Sequence, residues 1–176
     1  MTDERVAQAD LLRAAAQLPR GSAIVLRHYG LAEAARRMLF ERLKAIARRR
    51  AAILLLAGDP AQAYHWGADG HHGRTPALSR TSRAGRRWLH SMPVHDAGEL
   101  AAAMDAGADV ALLSPLFATR SHPGAPSLGP ARFAALARRA PMPVIALGGV
   151  RPRHARLVRR LGAAGYAAID GLTTGG

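Results

Sequence analysis

Cysteine is absent from all 176 residues. Its absence excludes disulfides, thiolate metal sites and a cysteine nucleophile. No apolar run approaches the roughly 20 residues that a membrane-spanning helix needs. The first ten residues have neither the basic start nor the apolar centre of a signal peptide. We therefore expect a cytoplasmic protein with no membrane partner.

Aromatic residues are also scarce, at 5% of the chain, and Lys44 is the only lysine. The formal net charge is nevertheless +13, because arginine is abundant. Such a charge can indicate a nucleic-acid-binding protein. Here the arginines are spread over every predicted helix, and few rings are present on which bases could stack. We predict no nucleic-acid partner and favour an anionic small-molecule ligand.

What the chain does contain is a regular alternation of apolar strands and helices. Hydrophobic residues make up 49% of the sequence, which suits one globular domain spanning residues 1–176. Helices are predicted at Val6–Leu18, Leu31–Arg50, Ala61–Trp66, Ala97–Ala106 and Pro152–Leu161. Strands are predicted at Ala23–Leu26, Ile53–Leu56, Trp88–His90, Ala111–Leu113, Pro143–Leu147 and Tyr166–Ile169, with a further one near Gly70. The arginine-rich face of the second helix is interpreted as solvated.

These strands are apolar throughout rather than alternating, which is typical of a parallel sheet covered by helices. A closed barrel of this kind needs about eight strands. The predicted fold is therefore α/β, a (β/α)8 TIM barrel that lacks most of the first strand and the last helix.

The stretch from Val110 to Val150 contains two of these strands, each followed by a polar or glycine-rich loop. Functional groups just past the carboxyl ends of parallel strands are typical of a barrel active site. The first loop contains Ser114-Pro115 and then Thr119 to Ser127, and the second contains Gly148-Gly149.

The residues of this stretch resemble the thiamine-phosphate synthase / TenI family. The similarity lies in SPLFAT at 114–119 and PVIALGGV at 143–150, which match the family's G-P-[IV]-F-x-T and P-V-[IV]-A-[IL]-G-G-[IV] segments. It extends over nearly the whole chain. It implies a (β/α)8 barrel and a role in joining or preparing the two halves of thiamine phosphate.

The resemblance also implies a ligand, a phosphorylated thiazole. Its phosphate would bind to the backbone amides of Gly148 and Gly149, since glycines let the chain approach an anion closely. Thr119 and Ser121 match hydroxyl-bearing positions of the substrate loop. His122 stands where synthases have a lysine that meets pyrophosphate, and Arg120 beside it offers a positive charge.

Few residues of the part of the family site that binds diphosphate are present in this chain. Of the Q-L-R-x-K segment only Leu26 and Arg27 remain, and Gly58 stands where the first Mg²⁺ aspartate is expected. Asp59 could serve only with a register shift of one residue. No carboxylate follows His72 within the next few residues. No metal site is therefore predicted, no other cofactor is expected, and Mg²⁺ would be needed only if synthase activity is retained.

The same losses occur in the TenI branch of the family, the thiazole tautomerases. His95 matches the histidine that serves as the acid/base in that branch. One group titrating near neutral pH suffices for such a proton transfer. His72 matches a histidine that points into the barrel mouth. His71 and His72 are adjacent on a strand and point to opposite faces, so they are not expected to share a metal.

Two alternatives remain. One is a divergent synthase that uses Asp59 and Arg27, and the other is a catalytically silent barrel that binds a phosphorylated ligand. Residues 1–5 match the end of the family's first strand. We expect either an apolar strand-like segment upstream of Met1 or a barrel open at this point, whose exposed strand edges would favour a homodimer.

Overall fold

The computed structural model describes residues 1–77, 81, 85–119 and 126–168. By its internal contacts the chain divides into two compact units. The first is Met1–Leu89, and the second begins at His90. Both are built from parallel strands connected by helices.

The first unit begins with a helix and contains three parallel strands. Its elements are α1 (Gln8–Gln17), β1 (Ala23–Leu26), α2 (Glu33–Arg50), β2 (Ile53–Ala57), α3 (Pro60–Trp66) and β3 (Gly70–His72). The strands lie side by side in chain order, with Leu26 opposite Leu56 and Ala57 opposite His72. Their carboxyl ends therefore meet at one edge of the sheet.

The core of the first unit lies between these strands and helices. Leu39, Phe40 and Leu43 of α2 are fully buried. The edge of Phe40 packs against Trp66 of α3, with the ring centroids 5.4 Å apart. The amide of Thr2 donates to the carbonyl of Val25, so the start of the chain lies beside β1.

The second unit continues the alternation. Its elements are β4 (Leu89–Val94), α4 (Ala97–Asp105), β5 (Val110–Leu113), α5 (Gly129–Arg139), β6 (Val144–Ala146), a 3-10 turn (Pro152–His154), α6 (Ala155–Arg160) and β7 (Gly165–Tyr166). The pairs β4–β5, β5–β6 and β6–β7 are parallel and follow the chain order. Phe133 of α5, Val158 of α6 and the strand residues Val94, Leu113 and Ala146 form its buried core.

The predicted fold class is confirmed, because the described residues form seven strands with the alternation and parallel pairing of a partial (β/α) barrel. Several bounds differ from the prediction. The strand predicted at Trp88–His90 is observed as Leu89–Val94, β7 begins at Gly165 rather than Tyr166, and the helix expected from Pro152 begins as a 3-10 turn. Within the described ranges, no helix has the length and hydropathy needed to cross a membrane.

Candidate functional site

Three strand ends of the second unit lie at the same level of the sheet. Val94 pairs with Leu113, and Leu113 pairs with Ala146. The bonds continue past the strands, because the Ser114 amide donates to Val94 and the Leu147 amide donates to Leu113. The residues that follow, His95, Ser114 and Gly148, are therefore brought to one edge.

The start of α4 fixes the backbone of His95. Asp96 is the N-cap of α4, and its carboxylate accepts the amide N–H of Glu99 at 2.8 Å. The Glu99 carboxylate in turn accepts the amide N–H of His95 at 2.8 Å. These two hydrogen bonds fix the backbone at His95 and therefore the direction in which its side chain projects.

Ser114 fixes the ring of His95. Nδ1 of His95 lies 2.9 Å from the Ser114 carbonyl oxygen and 3.2 Å from its hydroxyl oxygen. A carbonyl can only accept, so Nδ1 must carry the proton and donate it. The neutral ring then has its lone pair on Nε2, for which the described residues provide no partner. His95 is exposed, and this nitrogen can exchange a proton with a ligand.

The loop after β6 requires glycine at two consecutive positions. Gly148 and Gly149 have φ of +89° and +64°. A Cβ on Gly148 would lie 2.6 Å from Pro115 Cα, and one on Gly149 would lie 2.6 Å from the Ala118 oxygen. The glycines therefore let the loop after β6 press against the loop after β5.

Hydrogen bonds join these two loops, but they do not involve the backbone amides of Gly148 and Gly149. The amides of Leu116 and Phe117 donate to the carbonyls of Leu147 and Gly148, at 2.8 and 3.1 Å. The amides of Gly148 and Gly149 have no acceptor within the described part of the chain. Gly149 is exposed and Gly148 is half-buried, so both N–H groups can meet an anion.

The sequence did not predict that a histidine contacts the loop after β5. The ring of His154 packs against Phe117, with centroids 4.9 Å apart, and its Nδ1 accepts the amide of Arg151 at 3.2 Å. Burial lowers the pKa of His154, and the charges of Arg153 and Arg151 lower it further. The ring therefore favours its neutral form, while the two arginines supply positive charge after the glycines.

The remaining predicted residues of the substrate loop are only partly described. Thr119 is half-buried and directly follows Ala118, the residue that touches Gly149. Arg120, Ser121 and His122 lie outside the described residues, as does Asp170.

In the first unit, Arg27 stands directly after β1 beside a cleft of about 310 Å³. The lining residues are Thr2, Asp3, Glu4, Arg5, Arg27, His28 and Tyr29. The Arg27 amide donates to the hydroxyl of Thr2 at 2.9 Å, and its guanidinium lies 3.3 Å from the Asp3 carboxylate. Arg27 is therefore held on both its backbone and its side chain.

Two other groups of this cleft are perturbed by their surroundings. Paired hydrogen bonds from Arg5, at 2.8 Å each, lower the pKa of Asp3 to about 2, so Asp3 is ionised at neutral pH. His28 is buried at φ +36°, a backbone conformation that favours glycine. Its Nδ1 bonds the Thr2 hydroxyl at 2.9 Å, and burial lowers its pKa.

The residues after β2 do not fit a Mg²⁺ site. Gly58 has φ +111°, a conformation in which an aspartate would be strained. Both carboxylate oxygens of Asp59 cap α3 by accepting the amides of Ala61 and Gln62, at 2.9 and 3.3 Å. Across the described ranges, no cluster of three acidic or histidine side chains could hold a metal.

The two adjacent histidines of β3 have separate surroundings. The indole N–H of Trp88 donates to Nδ1 of His71 at 3.1 Å, and Nε2 of His71 lies 2.8 Å from the carbonyl of Thr75. Both ring nitrogens are thus engaged in holding the strand to its neighbours. His72 is buried at the end of β3, where its carbonyl accepts the amide of Gly58 at 3.0 Å.

Comparisons with known proteins agree with this fold. The family model described as thiamine monophosphate synthase matches residues 1–172. The chain is 32% identical over 136 residues to the thiamine-phosphate synthase of Laribacter hongkongensis, and 34% identical over 133 residues to the thiamine biosynthesis bifunctional protein ThiM/ThiE of Symbiobacterium thermophilum. These matches cover 75% and 73% of the chain but only 64% and 28% of the relatives.

Among solved structures, the thiamine phosphate pyrophosphorylase from Pyrococcus furiosus matches with a TM-score of 0.77 at 20% identity. The match covers 98% of this chain and 84% of that one. The corresponding enzyme from Bacteroides thetaiotaomicron matches with a TM-score of 0.62 at 14% identity, over 97% and 81% of the two chains. At these identities the likeness establishes the fold alone.

Proposed function

The chain belongs to the thiamine monophosphate synthase family, and from that premise we propose that it binds a phosphorylated thiazole and moves a proton on it, as a thiazole tautomerase does. His95 is the proposed acid/base. The phosphate would bind at the amides of Gly148 and Gly149, beside Thr119 and the loop that contains Arg120, Ser121 and His122.

The observation that carries this proposal is the bond between His95 Nδ1 and the Ser114 carbonyl. It selects the tautomer whose Nε2 can accept a proton. When Nε2 takes a proton from a ring carbon, the imidazolium gains a stronger hydrogen bond to that carbonyl. The same nitrogen then returns a proton at the second position of the ligand, so the reaction has no net proton change and needs no metal.

The glycine loop supports the ligand class. Two amides without an acceptor among the described residues, followed by Arg151 and Arg153, form a concentration of donors and positive charge suited to a phosphate. In the first unit, Arg27 and His72 remain predicted substrate-binding residues. Arg27 lines a cleft at the end of β1, and His72 is the last residue of β3.

A divergent synthase is the second candidate, since two of the similar proteins are described as thiamine-phosphate synthases. Against it stand the glycine at position 58 and the capping role of Asp59. A third candidate is a barrel that binds the phosphorylated ligand without turning it over.

The deciding experiment follows the tautomers of a thiazole carboxylate phosphate by NMR. We expect His95→Gln to slow the interconversion by about 10²–10⁴-fold, the usual contribution of a general acid/base. Ser114→Ala is the matched control: it removes the hydroxyl but keeps the carbonyl that holds Nδ1. We expect this variant to stay within about threefold of the wild type, since the weaker 3.2 Å contact alone is lost.

Each alternative has its own outcome. Formation of thiamine phosphate from both half-substrates and Mg²⁺ would replace the tautomerase proposal with the synthase. Binding of the thiazole phosphate without any interconversion would leave the silent barrel. Interconversion that His95→Gln does not slow would remove His95 from its proposed role.

A further inference from the structure

Arg36 is a buried arginine on α2, and at this residue the prediction of a solvated arginine-rich face is wrong. Only 8% of Arg36 is exposed. Its guanidinium lies 5.5 Å from the ring centre of Tyr29 and 5.9 Å from that of Trp66. Burying a cation is costly unless its N–H groups find acceptors, so the position of this side chain requires an explanation.

The acceptors of Arg36 belong to three different elements. Nε donates to the carbonyl of Arg27 at 3.0 Å, and Nη2 donates to the carbonyl of Ala57 at 2.5 Å. Nη1 donates to the side-chain oxygen of Gln62 on α3 at 3.0 Å. No carboxylate is among these hydrogen-bond partners, and the guanidinium donates to carbonyl and amide oxygens.

Two of these acceptors are at the sheet edge where the first unit has its cleft. Arg27 directly follows β1, and Ala57 is the last residue of β2. Carbonyls at such ends have left the strand ladder and need another donor. One guanidinium therefore fixes the spacing between the end of β1 and the end of β2.

We propose that Arg36 is a positioning residue for Arg27, and that it sets the affinity of the cleft for an anionic ligand. This inference rests on the proposed assignment of Arg27 to ligand binding. Arg36 holds the Arg27 carbonyl while Thr2 holds the Arg27 amide, and the peptide groups on both sides of the side chain are thereby fixed. A guanidinium that is already held in one orientation loses less conformational entropy when it binds an anion.

Arginine is required here for its shape as well as its charge. A lysine keeps the charge but donates from one point, so it cannot reach the Arg27, Ala57 and Gln62 oxygens together. Arg37, the next residue, offers a matched control. It lies over the Trp66 ring and pairs with Glu41, and no hydrogen bond links it to either strand end.

The test measures the binding of inorganic pyrophosphate to purified variants whose folding is checked by circular dichroism. We expect Arg36→Lys to weaken binding about tenfold or more and Arg37→Lys to change it less than about twofold, because only Arg36 contacts the backbone of Arg27. NMR of the Arg27 side-chain N–H should show a shift in Arg36→Lys alone.

A double-mutant cycle separates positioning from a general loss of structure. In an Arg27→Gln background, Arg36→Lys should have no further effect on pyrophosphate binding, whereas a general structural defect would add to the loss. If Arg36→Lys does not fold, Gln62→Met removes only the Nη1 acceptor, and we expect it to weaken binding about threefold.

The outcomes distinguish the inference from its premise. If Arg27→Gln binds pyrophosphate as tightly as the wild type, the assignment of Arg27 fails and the positioning role fails with it. If Arg27→Gln abolishes binding but a folded Arg36→Lys binds normally, only the Arg36 inference is overturned. Neither result depends on the His95 assay.

Discussion

Replacing Gly149 by alanine tests whether the loop after β6 requires glycine for close packing or only for its backbone conformation. The matched change is Gly129→Ala at the start of α5. The two residues have nearly the same φ, +64° and +67°. They differ in their surroundings: a Cβ on Gly149 meets the Ala118 oxygen at 2.6 Å and the Phe117 Cβ at 2.8 Å, and one on Gly129 meets nothing within 4 Å.

The expected loss of stability follows from these distances. A non-glycine residue in the left-handed region costs about 1–2 kcal/mol, of which alanine recovers about 0.4–1 kcal/mol by restricting the unfolded chain. Gly129→Ala should therefore lower the free energy of unfolding by about 1 kcal/mol. Overpacking adds about 1–3 kcal/mol, so Gly149→Ala should lower it by about 2–4 kcal/mol.

Urea unfolding followed by far-UV circular dichroism measures this difference. Both tryptophans, Trp66 and Trp88, belong to the first unit, so their emission reports on that unit. Phosphate binding is measured in parallel by phosphorus NMR. We expect the affinity for inorganic phosphate to fall about tenfold, or 1.4 kcal/mol, in Gly149→Ala and to stay near the wild-type value in Gly129→Ala.

Equal destabilisation by the two changes would refute the packing argument, because it would mean that the backbone conformation alone accounts for the glycine. Unchanged phosphate affinity in a folded Gly149→Ala protein would refute the placement of the phosphate at these amides.

Two further predictions concern carboxylates of the first unit. The folded pKa of Asp3 lies near 2, below its unfolded value of about 3.9, so its stabilisation is present above pH 4 or so and is lost as the pH falls through 2. Asp3→Asn should therefore cost about 1–2 kcal/mol at pH 7, after allowance for the half-exposed Arg5, and progressively less as the pH falls from about 4 through 2; a pH-independent loss in urea unfolding would contradict this. Asp59→Ala should cost about 1 kcal/mol by removing the cap of α3, whereas Asp59→Asn should cost less, and equal thermal unfolding of both variants would contradict the capping role.

The order and type of the elements could be predicted from the sequence, because they depend on local patterns. Apolar runs such as Ile53–Leu56 have few alternatives to a buried strand. The N-cap at Asp96 follows from one side chain and the amides next to it. The glycine pair at 148–149 was found by its resemblance to a family motif.

Other features could not be predicted, since they depend on strand register. The partner of His95 is a backbone carbonyl, and no residue type identifies which carbonyl will lie opposite. A useful signal was present, because Ser114 directly follows the predicted strand Ala111–Leu113, as His95 directly follows β4. The burial of Arg36 was also missed, since its spacing on an arginine-rich helix gives no sign that it faces two strand ends.

The sequence by itself therefore determined the α/β fold, the family and the residue types available for chemistry, because hydrophobic pattern, caps and glycines act over a few residues. The tertiary structure decided which of those residues act together. Parallel register brings His95 beside Ser114 and presses Gly149 against Ala118. It also brings Arg36 to the carbonyls of Arg27 and Ala57. Those contacts join residues up to tens of positions apart, and only the packed strands bring them within bonding distance.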